Sequence, residues 1–192
     1  MANLITPGRA AMLPVLADAE PAYIVELVST ASELIIRYCR RDFVRTAYND
    51  EVYDGNGSRV LTLRQFPVLE LTEVKIVEHD GAEIACDGDN YRVDRDVGEI
   101  RPRPDCDCDY CYFPRGFRNV LVTYIAGFDP VPADIQEACA QTAAWLFSTG
   151  SAAANVDAWK LGDASVSYRG DGAQPLPTAI RQMLGPYRNV RA

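Results

Sequence analysis

The sequence predicts an α+β protein in which N- and C-terminal segments make a helical core and an antiparallel β-rich region is inserted between them. Three observations carry this. Apolar residues recur at three-four spacing before residue 40, short alternating runs broken by Asp-Gly and Asn-Gly turns fill the middle, and helical spacing returns after residue 130. A chain of 192 residues suits one domain, or one domain with a sizeable insertion, and buries a core without needing staples or cofactors. The segments divide as 1–47 (helical), 48–125 (β-rich) and 126–192 (helices, the strand-like "KLGDASVSY" and a tail).

The first helix is read from "DAEPAYIVELVSTASELIIRYCRRDF", where Ile24, Leu27, Val28, Ala31, Leu34, Ile35 and Tyr38 share one face. Asp18 and Glu20 at its start, Pro21 in its first turn and Arg37, Arg40 and Arg41 at its end all match the helix macrodipole. From Tyr48 to Tyr124, the runs "EVYDGNGSRVLTL", "PVLELTEVKIVEHDGAEIAC", "YRVDRDVGEIRPR" and "NVLVTYIAG" predict six or seven strands, and the turns "DGNG", "HDG" and "DVG" predict antiparallel hairpins. The second long helix is read from "VPADIQEACAQTAAWLFSTG". Pro132 sits in its first turn, Ile135, Ala138, Cys139, Thr142 and Leu146 share a face, and Gly150 is the expected stop. A loop of small residues follows, with one strand-like run from Ala164 to Tyr168. The last short helix, in "PTAIRQMLGPYR", is expected to end at Gly185 and Pro186, leaving Tyr187 to Ala192 free of the domain.

Charge narrows the function. Lys and Arg number 19 against 27 Asp and Glu, a net charge of -8, which disfavours general affinity for phosphate backbones or anionic lipid. A nucleic-acid reader and a membrane protein are both set aside. The N-terminal "MANLITPGRAAML" lacks the basic-then-apolar pattern of a signal peptide, so folding in the cytoplasm is expected, with the six cysteines reduced and no disulfide framework.

Three of those cysteines crowd into "RPRPDCDCDYCYFPRG". If the "VDRDVGEI" hairpin turns near Asp96, facing positions sum to about 193, which sets Cys86 opposite Asp107 and near Cys106 and Cys108. Cys86, Cys106, Cys108 and Cys111 then either surround one structural zinc, closed to substrate, or remain free thiols at a loop tip. His79 is the sole histidine, lies in the turn "EHDG", and reads as an exposed turn residue rather than a catalytic base. "DGNGS" lacks the following helix and Lys-Ser/Thr pair of a phosphate loop, and Asp87, Asp89, Asp105 and Asp107 lack the spacing of a calcium loop. Trp145 and Trp159 read as packing or interface residues. No catalytic or metal-ligating residue is assigned, and no cofactor is expected.

The order of the segments resembles the head-tail connector (adaptor, or head-completion) family of tailed bacteriophages and gene-transfer agents. The blocks that carry the resemblance are "ELIIRYCRRDF", "YDGNGSRVLTLRQFPVLELTEV", "NYRVDRDVGEI", "RGFRNVLVTYIAGFDPVPADIQEACAQTAAWLF", "KLGDASVSY" and "LPTAIRQMLGPYR". The cysteine-rich loop stands outside the pattern. The resemblance implies a non-catalytic virion protein, assembled in the host cytoplasm, that forms a ring under the portal, expected to be a dodecamer. Such a ring extends the DNA channel without specific DNA binding and meets a stopper or tail-completion protein. It also implies that Tyr187, Arg188 and Arg191 in the tail dock on the portal. Leu161, Asp163, Val166 and Tyr168, on a strand isolated from the β-region, are expected to pair with a neighbouring subunit. Another ring-forming neck or tail-completion protein is the near alternative; a small zinc-binding regulator or enzyme built on the cysteine loop is the alternative of another class.

Overall fold

The computed structural model of the protein describes residues 3–105, 108–156 and 176–189 and combines helices with antiparallel sheets. Two units are distinguished: Met1–Arg40 with Val131–Arg191, and Arg41–Pro130. The second is wider than the 48–125 span read from sequence, because the flanking Arg41 packs on Phe66 of the β-rich unit and Phe43 and Phe128 pack on Arg41 and on each other.

The helical unit holds α1 (Pro7–Ala11), α2 (Pro21–Cys39), α3 (Ala133–Val156) and α4 (Thr178–Leu184), with α2 packed on α3 and α1 and α4 alongside. Thr6 caps α1 by accepting the Arg9 N–H, and Pro21 opens α2 where its missing N–H costs nothing. Arg40 ends α2 in the left-handed conformation, φ 55°, donating to the Ile36 carbonyl. The buried face of α2 is Ile24, Leu27, Val28, Ala31, Ser32, Ile35 and Cys39; Leu34 and Tyr38, expected on it, are only half-buried because the stripe turns toward Ser32 and Cys39. On α3 the core positions are Ile135, Ala138, Cys139, Thr142 and Ala143, with Leu146 at their edge. Gly150 does not stop this helix, which runs on to Val156.

A polar node sits between the two long helices. The Ser32 hydroxyl donates to the Val28 carbonyl (2.7 Å) and accepts the Leu4 N–H (3.1 Å), so its one proton is used and the Cys139 thiol at 3.5 Å is the donor toward it. Burial pushes the Cys139 thiol up to about 11.

Seven strands build the β-rich unit among the described residues: β1 (Thr46–Gly55), β2 (Leu61–Thr62), β3 (Val68–Val77), β4 (Glu83–Asp87), β5 (Tyr91–Asp94), β6 (Glu99–Pro102) and β7 (Gly116–Ala126). One sheet has the order β1-β7-β3-β4 and the other β2-β6-β5. The "HDG" and "DVG" turns make hairpins β3-β4 and β5-β6, the latter in the register expected from its turn, with Tyr91 opposite Pro102 and Asp94 opposite Glu99. "DGNG" is different: it is a corner that carries the chain from β1 into the other sheet, not a hairpin. Both sheets turn their apolar faces to one core, including Leu61, Val74, Tyr91, Ile100, Phe113, Val120, Val122 and Tyr124.

At the base of this unit the incoming and outgoing chain run side by side. Phe128 N–H donates to Phe43 C=O (2.8 Å) and Arg45 N–H to Phe128 C=O (3.2 Å). Gly127, at φ 114°, lets this happen, since a Cβ there would meet the Val44 carbonyl. The Arg41 guanidinium, 4% exposed, lies 3.8 Å from the centre of the Phe66 ring and donates to the Phe66 carbonyl.

The cysteine expectation needs correction. Cys86 and Cys108 are joined as a disulfide with Cα atoms 5.8 Å apart, not left as free thiols. The hairpin register brings the returning loop over Cys86 on the inner face of β4, and that proximity permits the bond. Among the described residues no group of three or more His, Cys, Asp or Glu is placed to hold a metal ion; Cys106 and Asp107 lie outside them.

Beneath β1 and β7 the Glu51 carboxylate accepts from the hydroxyls of Tyr53 and Tyr124 (the latter 2.5 Å), and those hydroxyls are 3.1 Å apart. Tyr48 stacks on Tyr124 at 5.1 Å and donates to Asp42 (2.7 Å). Burial raises all three phenols above the ordinary tyrosine range, reinforced by Asp42 at Tyr48, by Glu51 at Tyr53, and by Tyr53 and then Glu51 at Tyr124.

Two predictions come from this architecture. Ile135→Ala, at a site with no exposure, is expected to cost about 2–5 kcal/mol in urea denaturation, and Leu34→Ala clearly less; equal losses would contradict the half-buried position of Leu34. The raised phenols stay neutral in the fold and ionise when unfolded near pH 10 or about that, so their stabilisation is complete below that pH and is lost as pH rises above it. Urea midpoints are expected to fall in that alkaline range, with a shallower decline for Tyr124→Phe; an unchanged slope would contradict the buried network.

Candidate assembly surfaces

The C-terminal segment is held, not free. Gly185 keeps right-handed helical angles (φ -50°) instead of the left-handed stop expected of it, and the chain continues through a 3-10 turn, Gly185–Tyr187. The Tyr187 hydroxyl donates to Asp134 in the first turn of α3 (2.6 Å), and the Arg188 guanidinium lies over the Tyr38 ring at 5.4 Å. Asn189, 5% exposed, donates its N–H to the Cys39 carbonyl (2.8 Å). The physical reason is at the end of α2, where the last carbonyls lack intrahelical partners and offer an acceptor to a passing chain. The expectation that Tyr187 onward runs free is therefore corrected for Tyr187, Arg188 and Asn189.

Of the residues assigned to the portal contact, Tyr187 is half-buried and Arg188 is exposed, while Arg191 lies outside the described residues. Leu161, Asp163, Val166 and Tyr168, assigned to the contact between subunits, lie outside them as well, as does Trp159.

Two apolar displays escaped the sequence reading. Met12 (83% exposed) and Val15 stand out where α1 gives way to the turn Pro14–Leu16. Phe117, also 83% exposed, is presented by an irregular start to β7: Tyr53 faces Val120 but Gly55 already faces Gly116. The extra residues are fixed by Asp54, which accepts the Arg118 N–H (2.6 Å), and by Asn119, which accepts from Gly55 (2.8 Å) and donates to Pro114 (2.9 Å). Such a bulge re-aims a side chain. Its signal was parity, since Phe117 matches the outward-facing Leu121, Thr123 and Ile125.

The sole histidine lines a cleft of about 450 Å³ with Glu78, Asp80, Tyr110, Arg115 and Asn119. Among the described residues no Ser, Thr or Cys lines it, so none of them offers His79 a nucleophile to activate. Tyr110 is committed to Glu78 (2.5 Å) and Asn119 to the bulge. The geometry is that of a pinned loop.

Removing residues 188–192 deletes the donor to Cys39 and the Arg188–Tyr38 contact. A loss of about 1–2 kcal/mol is expected in urea denaturation; unchanged stability would mean that the segment does not dock as described.

The sequence profile of head completion proteins matches residues 12–190. No curated protein matches the sequence significantly. Among solved structures, the fold is similar to a chain in the "Neck of native GTA particle computed with C12 symmetry", with TM-score 0.60, 18% identity and coverage of 100% of this chain and 97% of that one. It is also similar to a chain in the "Neck of empty GTA particle computed with C6 symmetry", with TM-score 0.57, 20% identity and coverage of 100% and 97%. At those identities the likeness concerns the fold. The family profile, which spans nearly the whole length, concerns the sequence itself, and on it the chain belongs to the head completion protein family.

Proposed function

We propose that this chain is a head-tail connector: a structural, non-catalytic subunit of the virion neck that forms a ring beneath the portal, extends the DNA channel and joins head to tail. The observation that carries the reading is the head completion match over residues 12–190. A fold shared over the whole chain with neck subunits solved under twelvefold symmetry supports it. A dodecamer is the ring we favour, closed by head-to-tail contacts in which two different surfaces of the subunit meet.

In this reading the helices of 1–47 and 126–192 form the core and 48–125 is the insertion. Both chain ends belonging to one unit supports that division. Tyr187, Arg188 and Arg191 face the portal, and Leu161, Asp163, Val166 and Tyr168 pair with a neighbouring copy. A stopper or tail-completion protein meets the ring on its far side. The net charge of -8 suits a channel that DNA crosses without adhering.

Particles made without this chain are expected to accumulate as DNA-filled, tailless heads, and adding purified protein is expected to restore tail joining. R188E/R191E is expected to fold yet fail to attach. Tailed particles formed without the chain would overturn the function, whereas attachment of R188E/R191E at wild-type level would move the portal contact off the tail.

A further inference from the structure

The β-rich unit carries different charge on its two outer faces, carboxylate-rich on one and arginine-rich on the other. Both sheets turn their apolar sides to one core, so the remaining faces point away from each other. On the four-stranded sheet, register aligns Val52, Leu121, Lys75 and Ala85 in one row across β1, β7, β3 and β4, and Thr123, Glu73 and Asp87 in the next. Asp50, Glu73 and Glu83 lie 3.1, 3.5 and 3.9 Å from the Lys75 ammonium. Three carboxylates thus surround one cation, with the exposed Asp87 beside Glu73 in the next row, on a face that also shows half-buried Val52, Val77 and Leu121.

The other outer face is arginine-rich, its groove lined by Arg92, Arg95 and Arg101 against Asp94 and Glu99. In the β5-β6 hairpin Arg92 is directly opposite Arg101, and both are exposed. Arg101 reaches Glu99 (3.0 Å), while among the described residues Arg92 has no ion-pair partner. Like charges directly opposite disfavour a strand pair. Arg95 lines the same surface groove of about 470 Å³, and Arg103 follows it in sequence. In a chain of net charge -8, three guanidinium groups against Asp94 and Glu99 leave this groove slightly positive, a local reversal of sign.

We infer that the acidic face of the four-stranded sheet in one copy docks on the Arg92–Arg101 hairpin of the next copy, as part of the head-to-tail contact that closes the ring. The occupant is a second copy because one chain supplies both complementary surfaces, on opposite sides of one unit, as repeated addition in one direction requires. Each exposed pair contributes little alone. A set of them fixes register, speeds encounter and opposes face-to-like-face association. The inference rests on the ring reading above and names its surfaces.

The test is charge reversal with internal rescue. R92E/R101E, E73K/E83K and the combined quadruple variant are each produced in cells lacking the native chain, and copies per purified particle neck are counted against wild type. Each double variant is expected to lose at least about tenfold in incorporation, equivalent to 1.4 kcal/mol or about that, and the quadruple variant is expected to regain it. Thermal melts of the purified subunits check folding, and R92Q/R101Q replaces R92E/R101E if the latter fails to fold. Double variants that incorporate like wild type, or a folded quadruple variant with no recovery, would overturn this interface while leaving the ring reading standing. A wild-type chain absent from necks would remove both.

Discussion

Strand β7 is hydrogen-bonded along both edges, to β1 and to β3, so its alternation decides what each neighbour turns inward. Val120, Val122, Tyr124 and Ala126 point to the core; Leu121, Thr123 and Ile125 point away. A slip of one residue would exchange those sets and bury Thr123 in place of Tyr124, which is why the register is strongly specified. The same constraint sets Glu51 under the Tyr53 and Tyr124 hydroxyls and keeps Lys75 and its carboxylates on the outside. Core and charged surface are thus two consequences of one pairing pattern.

Burying a carboxylate beside phenols is costly unless its oxygens are satisfied. Glu51 meets that condition with two tyrosine hydroxyls and the Arg64 guanidinium at 3.3 Å. The buried Arg41 guanidinium lies over the Phe66 ring and donates to the Phe66 carbonyl. In the helical unit, the segment after α4 satisfies the end of α2 through Asn189. A protein that joins a head to a tail needs subunits that hold their shape, and these buried contacts contribute to that.

Much of the fold was legible because it rests on short-range rules. The three-four spacing of α2 and α3 and the turn-defined register of β5-β6 needed only local sequence. That register also sets Arg92 opposite Arg101, a like-charge pair hidden by overall composition. Other features depend on distant partners. The "DGNG" turn became a corner because β2 pairs with β6, thirty-odd residues away in sequence or roughly so, a choice no turn chemistry encodes. Phe117 has the outward parity of Leu121, Thr123 and Ile125, but its high exposure comes from the bulge at the start of β7, which pairing with β1 and not local sequence creates. Docking of Tyr187 to Asn189 depends on carbonyls at the end of α2 and on Asp134. The closeness of Cys86 and Cys108 followed from register, but the compartment argument favoured thiols, and the bond overrode it.

The family profile and the differently charged faces are both consistent with the proposed ring, in which one subunit repeats around an axis. The most direct measurement is an image reconstruction of the neck in intact particles, calculated without imposed symmetry. The account predicts a closed ring of this chain between portal and tail, each copy turning its four-stranded sheet toward the β5-β6 hairpin of the next. Density for this chain outside the neck, or as a single copy within it, would contradict the account.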